Sequence, residues 1–274
     1  MSIRMVLAGG GHAHLAVPCS GAADRQALIR ANRRVGNFDG AAGLEMTLSG
    51  GRFEFHAATV IALCGAPMPA TLDGIAVPAD TAIDVAAGQV LDVGTARQGV
   101  RGYLAVAGGI RAETVLGSRS TDLLTGLGPA PLRVADVLQT DTLHALPQHP
   151  ATAEAPMQTH RVLRYCAGPR HQRFAPAALD RLGGAPYTVS PHSNRIGVRL
   201  QGAALEHLDC GELDSEGLQP GAIQVPTSGQ PLVFLYDHPV TGGYPVIGVV
   251  LAEDLSGLAQ ARPGSTLQFE RVED

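Results

Sequence analysis

The sequence predicts a mostly-β fold with a few short helices, divided into two domains, and three observations carry that expectation. Apolar runs of strand length recur along the 274 residues, about fifteen of them, bounded by turn residues. The 34 Gly and 19 Pro exceed the usual ~7% and ~5% and are scattered between those runs as turn punctuation. The stretch 140–160 loses periodicity and gathers His and Pro, as a linker does. The expected domains are therefore 1–155 and 156–274.

In the first domain, Ala23, Ala27, Ala31 and Val35 recur every four residues with Leu28 beside them. This spacing predicts a helix over 24–35, capped by Ser20 or Asp24 and stopped by Gly36-Asn37. Leu44, Met46 and Leu48 alternate with polar residues, Gly50-Gly51 can turn, and Phe53 and Phe55 resume the alternation, which predicts a hairpin. Strands are expected at 59–64, 75–77, 81–85, 90–93 and 103–107. In the second domain a strand at 161–166 precedes a short helix over 176–182, ended by Gly183-Gly184. Strands at 187–190, 197–201, 222–225, 232–237 and 244–252, a helix over 253–261 and a strand at 266–272 complete the expectation.

Composition excludes several functions. Hydrophobic residues at 45% suffice for a core, and 16% charged is too low for a disordered chain. All 20 basic residues are arginine. Without lysine there is no Walker A loop, no lysine Schiff base and no covalent biotin on this chain. A net charge of −5, with no arginine stripe interleaved with aromatics, argues against nucleic acid. Cys19, Cys64, Cys166 and Cys210 are widely spaced, the pattern of reduced thiols in a cytoplasmic protein. The apolar stretch 244–252 falls short of the ~20 residues of a membrane span, and the first residues make a poor signal peptide.

Several constellations can carry chemistry. Gly9-Gly10-Gly11-His12 after an apolar run imitates a dinucleotide-binding turn, but His14 occupies the third glycine position, so a plain turn is expected. His12 and His14 share a strand face without a third ligand, and no metal is expected. Gly117-Ser118-Arg119-Ser120-Thr121-Asp122 places three hydroxyls and a guanidinium before an apolar pair, where they can cap a helix or hold a carboxylate or phosphate. Ser193-Asn194-Arg195 offers an amide that both donates and accepts, and an arginine able to pair bidentately with an anion. In Asp237-His238-Pro239-Val240-Thr241-Gly242-Gly243-Tyr244-Pro245, Asp237 or His238 can act as acid or base, and the glycine pair can converge backbone N–H groups. A wide hairpin loop is the bland alternative. Glu216 and Gln224 add polar groups beside another strand. No G-x-S-x-G elbow or H-E-x-x-H is present.

Taken in order, these segments resemble the carboxyltransferase A/B (KipA-like) family. The matching stretches are Val17-Pro18, Ser20-Gly21-Ala22, Asp24-Arg25, Ala31-Asn32, Val35-Gly36-Asn37, residues 102–110, 116–121, Ser190-Pro191, Ser193-Asn194-Arg195, Ser215-Glu216-Gly217, residues 221–226 and 241–245. The family's Thr-Thr-Val-Gln-Asp-x-Gly-Arg-like opening has no counterpart in the first dozen residues. The resemblance implies β-barrel-type domains, the C-terminal one cyclophilin-like. It implies the C subunit of an ATP-dependent 5-oxoprolinase, paired with a KipI-like B subunit and a LamB/YcsF-like A subunit, with ATP bound somewhere on the complex. Two alternatives are the carboxyltransferase half of a biotin-dependent urea or amide carboxylase (allophanate hydrolase subunit 2-like) and a non-catalytic antagonist of a KipI-like kinase inhibitor. A small amide or lactam is the expected substrate. Arg119, Asn194, Arg195 and Asp237 are the expected catalytic residues. Ser118, Ser120, Thr121, Ser193, Gln224, Thr241, Gly242, Gly243 and Tyr244 are the expected binding residues.

Overall fold

The computed structural model describes residues 2–6, 13–122, 124–141, 161–209 and 212–273. The chain divides into two units, Met1–Gly10 with Ser20–Gln158 and Gly11–Cys19 with Thr159–Asp274. Most of the expected linker, the Gly9-Gly10-Gly11-His12 turn and Cys210 lie outside the described residues.

The first unit contains β1 (Ser2–Val6), α1 (Arg25–Arg34), β2 (Gly43–Thr47), β3 (Arg52–Glu54), β4 (Thr59–Gly65), β5 (Ala70–Leu72), β6 (Ile75–Val77), β7 (Ala82–Val85), β8 (Val90–Val93), β9 (Arg101–Val106), β10 (Ile110–Arg111) and β11 (Gln139–Thr140). One sheet runs β1-β2-β9-β4-β7 and another β3-β8-β5-β6, both antiparallel. Side chains alternate across a strand, so each central strand serves two layers. Ile61 and Leu63 of β4 and Leu104 and Val106 of β9 pack with Leu72, Leu91 and Val93 of the four-stranded sheet. Val60, Ala62, Cys64, Tyr103 and Ala105 face Ala27, Leu28, Ala31 and Val35 of the helix side. The four-residue alanine repeat that predicts α1 thus marks its sheet-facing stripe. Asp24, not Ser20, caps the helix, its Oδ1 accepting from the Ala27 N–H at 3.0 Å.

The expected hairpin at 44–55 does not form. β2 pairs with β1 and β9, whereas β3 pairs with β8 in the other sheet. Leu48, at φ 62°, turns the chain out of one layer and Ser49 bridges Thr95 instead. The alternation was real in the sequence, but β2 is buried on both faces (Gly43 to Met46) and so serves two layers rather than a hairpin face. The antiparallel β1–β2 pair is also unlike a dinucleotide-binding unit, which opens on a parallel sheet.

The second unit contains β12 (Val162–Ala167), α2 (Ala177–Gly184), β13 (Tyr187–Val189), β14 (Gly197–Gln201), β15 (Glu216–Gly217), β16 (Ala222–Gln224), β17 (Leu232–Phe234), β18 (Thr241–Gly242), β19 (Val246–Val250), α3 (Ala252–Ala259) and β20 (Thr266–Arg271). Seven strands close into a barrel in the order β12-β19-β16-β17-β14-β13-β20, sealed by the parallel β12–β20 pair. Tyr165, Tyr187 and Phe269 are buried and meet edge-on, with the two tyrosine centroids 6.0 and 5.8 Å from Phe269. α2 runs through the two glycines expected to end it. The wide hairpin considered for 237–245 is excluded, because β16 lies between β17 and β19 in the barrel. Instead, β18 within that loop pairs with β15.

Candidate functional site

The loops on β14, β16 and β17 of the second unit meet over a small apolar base. Ala222, Leu232, Phe234 and Val246 are buried there, with Ile196 and Leu218 packed against them. Backbone bonds tie the loops together: Leu235 N–H donates to Ile196 O at 2.9 Å, Leu218 N–H to Val240 O at 2.8 Å and Val225 N–H to Pro245 O at 3.1 Å. The stretches 193–197, 216–218, 224–225 and 237–245 therefore form one cluster.

At its centre Arg195 and Asp237 pair bidentately, Nε to Oδ2 at 2.9 Å and Nη2 to Oδ1 at 3.3 Å, with side chains 7% and 3% exposed. The anion that Arg195 was expected to grasp in a ligand is thus a carboxylate of its own chain. His238 is buried, and its Nδ1 donates to Pro239 O at 2.7 Å. That bond fixes the tautomer, so Nε2 carries the lone pair, and Nε2 is buried without a hydrogen-bond partner. Burial pushes the imidazole below its usual pKa, outweighing the Pro239 bond and the nearby Asp237 charge. Of the two acid–base candidates in this loop, His238 presents a basic nitrogen while Asp237 is locked to Arg195.

Gln224 is buried and donates from Nε2 to Tyr244 O at 3.0 Å, which holds the 241–245 loop down. A Cβ at Gly242 would lie 2.6 Å from Gln224 Nε2 and 2.8 Å from Leu218 Cδ1, so a larger residue would have to push those side chains aside. Tyr244 itself is 45% exposed, and Thr241 and Gly243 are exposed. Arg170 Nε donates to Glu216 Oε1 at 2.8 Å, which holds that carboxyl below its usual pKa. Asn194 spends its Oδ1 locally, accepting from the Ile196 and Gly197 N–H groups at 2.9 and 3.4 Å, an Asx turn that launches β14. Ser193 Oγ bonds the Arg199 backbone.

The Ser118–Asp122 stretch belongs to the first unit. It forms turns, not the start of a helix. Val115 and Ser118 bridge across Leu116 and Gly117 at φ 49° and 76°, and the Ser120 N–H donates to Ser118 Oγ. Asp122, rather than a hydroxyl, accepts from the Leu124 and Thr125 N–H groups. Thr121 Oγ1 is buried without a partner. Arg119 Nη1 donates to Asp141 Oδ2 at 3.0 Å and to Ile110 O at 3.4 Å. Asp141 also lines a cleft of about 880 Å³ with Phe53, Phe55, His56 and Thr140.

Other motif residues of the first unit are framework. Buried Glu45 accepts from Tyr103 OH at 2.7 Å and the Ala23 N–H at 3.1 Å, and Tyr103 OH accepts from the Asp24 N–H at 2.8 Å. Asn37 Nδ2 donates to Asn32 Oδ1 and Val106 O, and its Oδ1 accepts from the Gly108 N–H, which fastens the end of α1 to β9. Sequence reasoning missed Asp141 and Arg170. Both act through partners 22 and 46 positions away, and no local pattern announces such pairs.

The family described as carboxyltransferase domain, subdomain A and B, matches residues 15–271. The C subunit of 5-oxoprolinase from Escherichia coli (strain K12) is 38% identical over 252 residues, covering 91% of this chain and 81% of that protein. The corresponding C subunit from Haemophilus influenzae is 36% identical over 255 residues, covering 92% and 82%. Among solved structures, K. lactis urea amidolyase superposes with a TM-score of 0.91 at 28% identity, over 99% of this chain but 18% of that one.

Proposed function

Since the chain belongs to the carboxyltransferase A and B domain family, we propose that it is the C subunit of an ATP-dependent 5-oxoprolinase. In this reading it works in the cytoplasm with a KipI-like B subunit and a LamB/YcsF-like A subunit, converting 5-oxo-L-proline, ATP and water to L-glutamate, ADP and phosphate. One observation carries the reading. The 5-oxoprolinase C subunits are 38% and 36% identical to this chain, whereas K. lactis urea amidolyase is 28% identical to it.

The geometry suits the chemistry in a specific way. A lactam carbonyl opens when the negative oxygen of its tetrahedral intermediate is stabilised by fixed donors. Arg119, held by a single exposed carboxylate, keeps donors for such an oxygen or for a substrate carboxylate. Ser118, Ser120 and Thr121 of the first unit, and Ser193, Gln224, Thr241, Gly242, Gly243 and Tyr244 of the second, would each supply substrate-binding groups. Arg195 and Asp237 would fix the loop that carries His238, whose Nε2 can accept a proton. ATP would bind on the complex, and no biotin would be carried covalently by this lysine-free chain.

Co-expression with A and B subunits is the test. The complex is expected to release glutamate from 5-oxoproline only with ATP, and Arg119→Ala is expected to lower that rate without unfolding the chain. An active complex indifferent to Arg119→Ala and Asn194→Ala removes both residues from the mechanism. The close superposition on urea amidolyase supports a second reading, a carboxyltransferase half served by a separate biotin carrier. Bicarbonate-dependent, avidin-sensitive turnover of urea would select it. Tight B-subunit binding with no turnover of either substrate would instead select an antagonist.

A further inference from the structure

The stretch 241–245, assigned above to the substrate, depends for its placement on a small element outside the barrel. β15 and β18 pair antiparallel, Glu216 opposite Gly242 and Gly217 opposite Thr241, as a two-stranded ribbon separate from the seven barrel strands. Two residues a side make a ribbon that is marginal by itself in water, so its ties to the barrel decide how it is held. On the β18 side Gln224 Nε2 donates to Tyr244 O at 3.0 Å and the Val225 N–H to Pro245 O at 3.1 Å. On the β15 side Leu218 packs against the apolar base, and Arg170 grips Glu216.

The segment that carries Arg170 lies directly on β19. The Gly168 N–H donates to Ile247 O at 2.8 Å and the Arg170 N–H to Val246 O at 3.3 Å. Gly168 permits that approach, since a Cβ there would lie 2.5 Å from Val246 O and 2.8 Å from the Gly248 nitrogen, both backbone atoms. Val246 follows Pro245, so the main chain of Arg170 is fixed where the loop ends. Its side chain reaches back to the residue opposite Gly242, Nε donating to Glu216 Oε1 at 2.8 Å and Nη2 to the same oxygen. That bond holds the Glu216 carboxyl below its usual pKa, as a formed pair requires. With side chains 44% and 29% exposed, the pair adds little to the stability of the whole chain. A ribbon that opens at low local cost, however, responds to ties that the barrel would not register.

We propose that Arg170 is a positioning residue: through its ion pair with Glu216 it holds the β15–β18 ribbon in the form that presents Thr241 and the Gly242–Tyr244 backbone to the substrate. The clamp itself is a property of this chain, whereas its effect on 5-oxoproline rests on the 5-oxoprolinase reading.

Amide exchange of the full-length chain, followed by ¹H–¹⁵N NMR, tests the clamp without substrate. The Leu218 N–H donates to Val240 O beside the β15–β18 pair, and the Leu235 N–H donates to Ile196 O on the barrel. Arg170→Gln and Glu216→Gln should each speed exchange at Leu218 about two- to fivefold, the double variant no more than either alone, with Leu235 unchanged. In the complex with A and B subunits, Arg170→Gln should raise the KM for 5-oxoproline about two- to fivefold with kcat retained. Unchanged exchange at Leu218, additive effects of the two substitutions, or equal acceleration at Leu235 would overturn the clamp whatever the complex catalyses. Faster exchange at Leu218 with an unmoved KM, or a loss confined to kcat, would overturn the role in positioning substrate. A wild-type complex that never turns over 5-oxoproline, in a chain that shows the exchange pattern, would remove the 5-oxoprolinase reading and leave the clamp standing.

Discussion

Arg195–Asp237 in the second unit and Arg119–Asp141 in the first are the same chemical pair in opposite surroundings. The former is bidentate with both side chains more than nine-tenths buried. The latter rests on one Nη1 contact, with side chains 29% and 43% exposed. Burial changes what each pair is for. An ion taken out of water tolerates no loss of its partner, so Arg195 and Asp237 form a fixed strut between the β14 and β17 loops. A half-exposed pair is nearly neutral in free energy, so Arg119 can exchange Asp141 for an incoming anion. The buried pair positions; the exposed one can bind.

The largest effect that would break this comparison is on stability. Asp237→Ala removes the carboxylate that neutralises the buried Arg195 guanidinium, and should cost about 3–5 kcal/mol in urea unfolding of the full chain. A loss below about 1 kcal/mol would make it no different from a surface pair. Tyr103→Phe asks whether burial, rather than the unit, sets the scale. It strips a donor from buried Glu45 and an acceptor from the Asp24 N–H, and should cost about 1–3 kcal/mol. Asp141→Ala should then change stability by no more than about 1 kcal/mol. A larger loss would show that Arg119 is structural too.

The smallest expected effect is the pH dependence at His238. Its folded-state pKa is lowered from the ordinary 6.5 by burial. As pH falls below about 6.5, the unfolded chain takes up a proton that the folded one does not. Stability should therefore fall on acidification from about 6.5 down to the folded-state pKa, and be unaffected by this group above that window. His238→Gln should remove that component from urea midpoints measured between about pH 5 and 8. If wild type and variant track each other, the ring is not held neutral by burial.

Much of the fold was legible because it is local. The alanine repeat and Asp24 give α1 to within a residue at each end, and 75–77, 90–93 and 197–201 are strands with the predicted bounds. The 44–55 hairpin was misread because alternation records which faces are apolar, not which strand lies alongside. β2 and β3 diverge to different sheets at Leu48. The short pieces β15 and β18 carry no apolar pattern, and exist only because each pairs with the other.

The site divides in the same way. The sequence by itself determined which residues are capable of the chemistry, because an arginine, an amide or an imidazole brings its donors and acceptors wherever it sits. It also determined what this chain cannot do, since a lysine that is absent cannot be supplied by folding. Tertiary structure alone decided which of those groups are spoken for. Asp237 answers Arg195, Asn194 turns back on its own backbone, and His238 keeps Nε2 unpaired. The physical reason is that partnering and desolvation depend on distances between segments far apart in the chain, and those distances are created only by closing the barrel and stacking the sheets.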